Sequence, residues 1–351
     1  MRLLVITQKV DQNDDLLGFF HQQLFQLAAK VEKLYVISLS VGDYQLPDNV
    51  EVYSLGKEKG VNKIFRYLKL YCLFFKLLPV TDKVFAHMCP EYVIALAVLN
   101  LFFKKQIFLW YVHRQVNWRL RLAEKFVKKI FTVSPASCRL NSKKITILGH
   151  GIDLDYFKIK EKGLRTDNLF RIIYIGRISK IKDQELLIKA ANILINNKNY
   201  KNLKFILVGG AILDNDKNYL DYLESLIINF QLEKYLEITG RKPYNLITQF
   251  YQLADLSINL CPTGGLDKAV LESMAMGLPT IVINKDFKDI FAKYQDLILE
   301  SPAEDKLAEK IEQIINLNPQ LRGLIGQDLR ERVKEKHGLE NLINNLIKEM
   351  S

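Results

Sequence analysis

Cysteine is scarce and unpatterned, with four in 351 residues, at positions 72, 89, 138 and 261. None forms a CxxC pair or a metal-like spacing, which argues against a disulfide framework and a zinc module. No signal-like run opens the chain, so the thiols are expected to be reduced in a cytoplasmic protein. Long apolar runs are also lacking. "VIALAVLNLFF" (93–103) is too short to cross a bilayer. "IFRYLKLYCLFFKLLPV" (64–80) is longer, but Arg66, Lys69 and Lys76 interrupt it. It reads either as an interfacial helix or as a core helix with snorkelling lysines. There is no GxGxxG, no internal repeat and no low-complexity tail, so a dinucleotide fingerprint and a solenoid are both disfavoured.

Acidic residues are few in the first half. Residues 1–158 hold 23 Lys/Arg and 13 Asp/Glu, whereas the other 193 hold 27 and 26. Nearly all of the net +11 therefore belongs to the first half. Between Lys104 and Lys144 stand eleven basic residues and one acid, Glu124. Such a patch suits phosphates of anionic lipid or nucleic acid, or is a merely basic surface. No nucleic-acid reading module accompanies it, so nucleic acid is not expected as a partner.

What is present is alternation. "RLLVIT" (2–7), a loop ending at Gly18, a helix over 19–31 and "LYVISLS" (34–40) form a βαβ unit. Strands at 84–88, 107–113 and 130–134 follow, with helices at 91–103 and 118–129 between them. The rhythm restarts at "RIIYIGR" (171–177), with further strands at 203–210, 236–240, 255–262, 279–284 and 297–300. Helices are expected over 183–195, 219–230, 303–316 and 320–350. Two such series predict an α/β protein of two doubly wound, Rossmann-like domains, 1–158 and 159–334. Ligands of such sheets lie beyond the carboxyl ends of the strands, which are His113, Gly149 to Asp153, Gly176–Arg177, Gly209–Gly210, Gly240–Arg241 and Pro262 to Gly265.

The stretch "GGLDKAVLESMAMG" (264–277) starts with a glycine pair and carries Lys268 and Glu272 one turn apart. Lys268 and Glu272 are either a surface i,i+4 pair or two arms of one ligand site. A sugar nucleotide offers a diphosphate to a helix start and a ribose diol to a carboxylate. Asp267 stands where it can cap the helix.

Three ordered motifs carry a resemblance. "GRISKIKD" (176–183) is similar to a G-R-x-x-x-x-K pattern, "LCPTGGLDKAVLESMAMGLPTIV" (260–282) to a segment with an E-x7-E element, and "LGHGIDLDYF" (148–157) to an N-G-V-D-x-x-x-F signature. Together they resemble the retaining glycosyltransferases of family 4 with the GT-B fold. The resemblance implies two Rossmann-like domains facing each other across a cleft, with the last helix (about 335–351) crossing back onto the first domain. It implies a nucleoside-diphosphate sugar as donor, with Arg177 and Lys182 on the diphosphate and Glu272 on the ribose. Gly18, Gly209, Arg241, Gly264, Gly265, Asp267 and Lys268 are further donor-site candidates. His113 is the matching position for a histidine near the transferring sugar, and is otherwise a structural hydrogen-bonder. No cofactor and no metal are implied. Where the family usually has the first Glu of its pair, this chain has Gly264, and "GGLDK" stands where "EGFGL" is usual. That departure bears on which sugar is held.

The implied reaction transfers a sugar, with retention, to a hydroxyl of a glycan or lipid-linked glycan in bacterial envelope or surface polysaccharide synthesis. The protein is expected in the cytoplasm, peripherally on the inner, anionic face of the plasma membrane. A sugar-nucleotide epimerase and a non-catalytic nucleotide-sugar-binding subunit of the same fold stay open.

Overall fold

The computed structural model describes residues 1–159, 167–263 and 265–351. Two compact units divide the chain: Met1–Gly151 with Leu339–Ser351, and Ile152–Gly338. The division falls at Gly151, where the sequence pattern placed it at 158.

The first unit is built on a parallel sheet ordered β3-β2-β1-β4-β5-β6-β7. Its strands are β1 (Arg2–Val10), β2 (Lys33–Val41), β3 (Val50–Ser54), β4 (Lys83–His87), β5 (Gln106–Trp110), β6 (Lys129–Thr132) and β7 (Ile145–Ile147). Helices α1 (Gly18–Ala28), α2 (Lys63–Leu77), α3 (Pro90–Phe103) and α4 (Trp118–Phe126) are the crossovers. β1, with five successive buried residues from Leu3 to Thr7, is central, as a strand covered on both faces must be. β3 was not anticipated. "VEVYS" is half-buried throughout and follows a Gly/Asp/Pro-containing stretch, the pattern of an edge strand with little core signal.

The second unit has the sheet β10-β9-β8-β11-β12. It uses β8 (Phe170–Ile175), α5 (Gln184–Asn192), β9 (Leu203–Val208), α6 (Asp214–Asn229), β10 (Leu236–Ile238), α7 (Ile247–Leu253), β11 (Leu256–Asn259), α8 (Lys268–Ala275), β12 (Thr280–Val282), α9 (Lys288–Phe291), α10 (Glu304–Asn316) and α11 (Pro319–His337). The strand expected at 297–300 is not formed. Ala292–Leu297 is a 3-10 helix, and Ile298 makes only a single bridge to Val282.

The helix expected over 320–350 is two helices broken at Gly338, α11 and α12 (Leu339–Met350). α12 buries Leu339, Leu342, Ile343, Leu346 and Met350 at helical spacing and belongs to the first unit. There Lys129 pairs with Glu349, and Lys83 Nζ donates to the Ser351 carbonyl at 2.8 Å. Strand order reverses between β1 and β4 in one sheet and between β8 and β11 in the other. Those are the switch points at which open α/β sheets accommodate ligands.

Candidate functional site

In the second unit the loops after β8, β9, β10 and β11 carry the residues singled out from the sequence. Arg177 follows β8 with an exposed guanidinium, while its carbonyl accepts from Gln184 Nε2 at 2.9 Å. That bond ties the loop to the start of α5. Lys182 closes a 3-10 turn, Lys180–Lys182, and its carbonyl accepts from the Tyr174 hydroxyl. Its ammonium is paired with the Asp267 carboxylate.

Asp267 is the N-cap of α8, accepting from Ala269 N at 3.2 Å, as its place in the sequence predicted. The same carboxylate also accepts from Asn259 Nδ2 at 3.0 Å, at the end of β11. Burial opposes the charge of both Lys182 and Asp267, but their mutual attraction outweighs it. The lysine pKa is raised and the aspartate pKa lowered. Gly265 just before the cap has φ +81°, a conformation glycine adopts without cost, and its carbonyl accepts from Asn284 Nδ2 at 2.7 Å. Gly264 lies outside the described residues.

Glu272 stands one turn inside α8 and is buried. It accepts a hydrogen bond from the Tyr244 hydroxyl at 2.9 Å, and Lys268 Nζ is 3.8 Å away. The pair is thus not the exposed surface pair that sequence spacing also allowed. Burial pushes the Glu272 carboxyl up to about 7, with Lys268 and Tyr244 pulling against it. Burial likewise lowers Lys268 to about 8, against the pull of Glu272. The Tyr244 ring stacks on Tyr156 at 5.9 Å, and Lys268 Nζ lies 5.3 Å from its centroid. Tyr251 donates to the Ala269 carbonyl at 3.0 Å. These tyrosines escaped the sequence reading, although Tyr244 lies only three residues beyond Arg241.

Gly209 follows β9 at φ +149°, and a Cβ there would stand 2.0 Å from the Gly176 carbonyl oxygen. It therefore has a packing requirement of its own, at the crossing of two strand-end loops. The exposed Arg241 lies against Gly210, where a Cβ would meet its Cγ at 2.8 Å.

The other two candidates, Gly18 and His113, belong to the first unit. Gly18 is the first residue of α1, buried, with its amide on the Asp14 carbonyl at 3.0 Å. His113 follows β5, is exposed, and accepts from Gln115 N at 3.0 Å on Nδ1. A neutral ring so held carries its proton on Nε2. Next to it, Arg114 Nε is buried without a hydrogen-bond partner.

So the second unit brings two cations and a helix start to one sheet edge, with a buried carboxylate a turn below. Against this geometry the family match is decisive. The model of glycosyl transferases group 1 matches residues 155–336, over half of the chain. The chain belongs to that family. An alpha-monoglucosyldiacylglycerol synthase of Acholeplasma laidlawii is 27% identical over 199 residues, 53% of this chain and 47% of that protein. A UDP-Gal:alpha-D-GlcNAc-diphosphoundecaprenol alpha-1,3-galactosyltransferase of Escherichia coli is 29% identical over 150 residues, 40% of this chain and 37% of that one. The matches thus span less than half the length of either relative. Among solved structures, HepE of Anabaena in complex with UDP and glucose superposes with a TM-score of 0.75 at 16% identity, covering 100% of this chain and 99% of that one. Sucrose-phosphate synthase of Thermosynechococcus elongatus gives 0.75 at 14% identity, covering 99% and 98%. These likenesses show the fold: two Rossmann-like domains of the GT-B type.

Proposed function

We propose that the protein is a retaining glycosyltransferase that moves a hexose from a nucleoside-diphosphate sugar to an acceptor hydroxyl in envelope or surface glycan synthesis. The observation that carries the reading is the edge formed by Arg177, Lys182 and the start of α8, with Glu272 buried one turn below. The second unit takes the donor. Arg177 and Lys182 bind the diphosphate and stabilise the charge that grows on it as the glycosidic bond breaks. The diphosphate oxygen then accepts the proton of the attacking hydroxyl on the same face, so configuration is retained. Glu272, oriented by Tyr244, receives the ribose hydroxyls. The first unit takes the acceptor, with His113 close to the transferring sugar. No metal is assigned a role. The likeness to the galactosyltransferase, which uses UDP-Gal, favours a UDP-sugar, and the likeness to both relatives favours a lipid-borne acceptor.

The same reading places the protein peripherally on an anionic membrane. α2 turns Leu70, Leu73, Phe74 and Leu77 into the core and exposes Ile64, Phe65, Leu68 and Phe75 beside Lys63, Lys69 and Lys76. That mix of apolar and cationic side chains suits an interface.

The reading is tested by incubating the protein with UDP- and GDP-hexoses, following nucleotide release, and assigning the product anomer by NMR. Release of nucleoside diphosphate with retained configuration is expected. An epimerised donor would replace the reading with the epimerase. The Asp267–Lys182 pair favours a second reading, a binding subunit, because it neutralises one cation of the diphosphate site. Tight nucleotide binding without turnover on any donor would select it.

A further inference from the structure

The first unit holds a cavity of about 220 Å³ that the donor site does not explain. It opens among Lys63 and Arg66 on α2, Glu91 and Tyr92 on α3, Arg119 on α4, and Tyr67. Leu39, near the end of β2, and Leu55, just beyond β3, complete its lining. The cavity therefore lies at the carboxyl edge of the sheet, where ligands of such folds bind. Residues of the first turns of α3 and α4 face it, and those turns bring partial positive charge.

Its charge is one-sided: three cationic side chains against one carboxylate. Among the described residues, none of Lys63, Arg66 and Arg119 forms a salt bridge. Arg66 Nε is moreover buried without a hydrogen-bond partner. A buried guanidinium N–H left unpaired is costly, and an anionic ligand in the cavity would satisfy it. The size is telling too. At about 220 Å³ the space falls below the roughly 300–1,000 Å³ usual for pockets of drug-sized ligands. Phosphate or diphosphate fits, and arginine forks match its oxygens. Tyr67 and Tyr92 are the hydroxyl-bearing residues of the lining, and Glu91 is its acceptor for a ligand hydroxyl.

Resting on the assignment of the acceptor to the first unit, we infer that this cavity binds the phosphate or diphosphate group of a phosphorylated acceptor. The rim favours a lipid-borne source. Ile64 and Phe65 stand between Lys63 and Arg66 in the chain and are 73% and 62% exposed, and Trp118 beside Arg119 is 66% exposed. An acyl or prenyl chain would run over these side chains while its phosphate enters the cavity.

The test uses the full chain with two probes. Inorganic pyrophosphate is titrated calorimetrically in the presence of saturating UDP, so that the donor site is occupied. Phosphatidylcholine vesicles with and without phosphatidic acid are then used in sedimentation. Arg66→Gln and Arg119→Gln are each expected to weaken pyrophosphate about tenfold or more, as for loss of a charge-assisted contact. Lys69→Gln, on α2 but outside the cavity, controls for diffuse surface charge and should leave pyrophosphate unchanged. A further drop of Arg66→Gln below Lys69→Gln on phosphatidic acid vesicles identifies a lipid as the phosphate source. A drop on pyrophosphate alone identifies a soluble phosphorylated acceptor. Wild-type pyrophosphate affinity in both arginine variants overturns the inference, as does an equal loss in Lys69→Gln. UDP affinity, measured on the same proteins, reads the donor site separately. Were UDP not to bind, the donor reading would fall, while wild type against Arg66→Gln would still decide the cavity.

Discussion

The ammonium of Lys182 is paired with the carboxylate of Asp267, the residue that caps α8. One side chain thus holds a helix start and masks a cation assigned to the donor diphosphate. The partners are 17% and 20% exposed, so the pair is only weakly screened. A diphosphate bound as proposed must compete with Asp267 for Lys182 or share it. Asp267→Asn keeps an oxygen for the cap, removes the charge and leaves Asn259 Nδ2 without its acceptor. It should destabilise the free protein by roughly 1–3 kcal/mol, because Lys182 loses its counter-ion. It should also tighten UDP several-fold. A larger UDP-induced rise in Tm than in wild type is therefore expected in differential scanning fluorimetry. A smaller rise would mean that Asp267 helps to hold the nucleotide.

Arg177 differs from Lys182 in having an exposed guanidinium. Its removal should leave Tm within error of wild type, yet lower UDP affinity about tenfold, the loss of one charge-assisted contact. Arg177→Lys should recover only part of that affinity, since an ammonium cannot reproduce the planar fork. Calorimetric titration of UDP into the three proteins is the measurement. Equal affinities would assign Arg177 to solvent.

Glu272 gives a pH signature. Its carboxyl is raised to about 7 in the folded protein, from an ordinary 4.5. Between those values the folded state binds more protons than the unfolded state. Stability attributable to this group is therefore present at low pH and falls as pH rises through the window. Glu272→Gln is neutral throughout and removes the carboxyl's own share of the slope. The urea midpoint of Glu272→Gln minus that of wild type should grow between pH 5 and pH 8, up to about 3 kcal/mol once scaled by m. UDP should bind Glu272→Gln more weakly at pH 8, where the wild-type carboxylate is charged. A flat difference in the midpoints would show that the carboxyl titrates at its ordinary value.

The sequence made the alternation of strands and helices legible, because buried parallel strands such as 2–7 and 171–175 read as continuous apolar runs between amphipathic helices. It also revealed the cap, since Asp before a helical run has a local cause. What it left hidden is tertiary. Lys182 meets Asp267 across 85 positions of chain, and no local rule selects that carboxylate over Glu272. Tyr244 reaches Glu272 from a loop after β10, 28 positions away. Spacing alone could not tell a buried Lys268–Glu272 pair from an exposed one, because both satisfy i,i+4. The edge strand β3 and the cationic cavity were missed for a related reason. Their residues look like ordinary half-exposed positions until the sheet order brings Leu39, Leu55 and three helices together.

α2 supplies the last prediction. Phe65 and Leu68 are 62% and 55% exposed, one turn apart, and lie off the face that buries Leu70, Leu73 and Phe74. A double change to serine should therefore spare the fold, with Tm unchanged or slightly raised. If this face docks on lipid, the variant loses the apolar part of membrane binding and keeps the attraction of Lys63, Lys69 and Lys76. Sedimentation with phosphatidylglycerol vesicles should then fall several-fold at low salt and almost to background at physiological salt, where screening acts over about 8 Å. Wild type should remain partly bound at physiological salt and unbound to phosphatidylcholine, since neutral lipid offers no charge to the lysines. Unchanged sedimentation of the variant at both salt concentrations would exclude α2 as the docking face and return its apolar side chains to the role of uncovered surface.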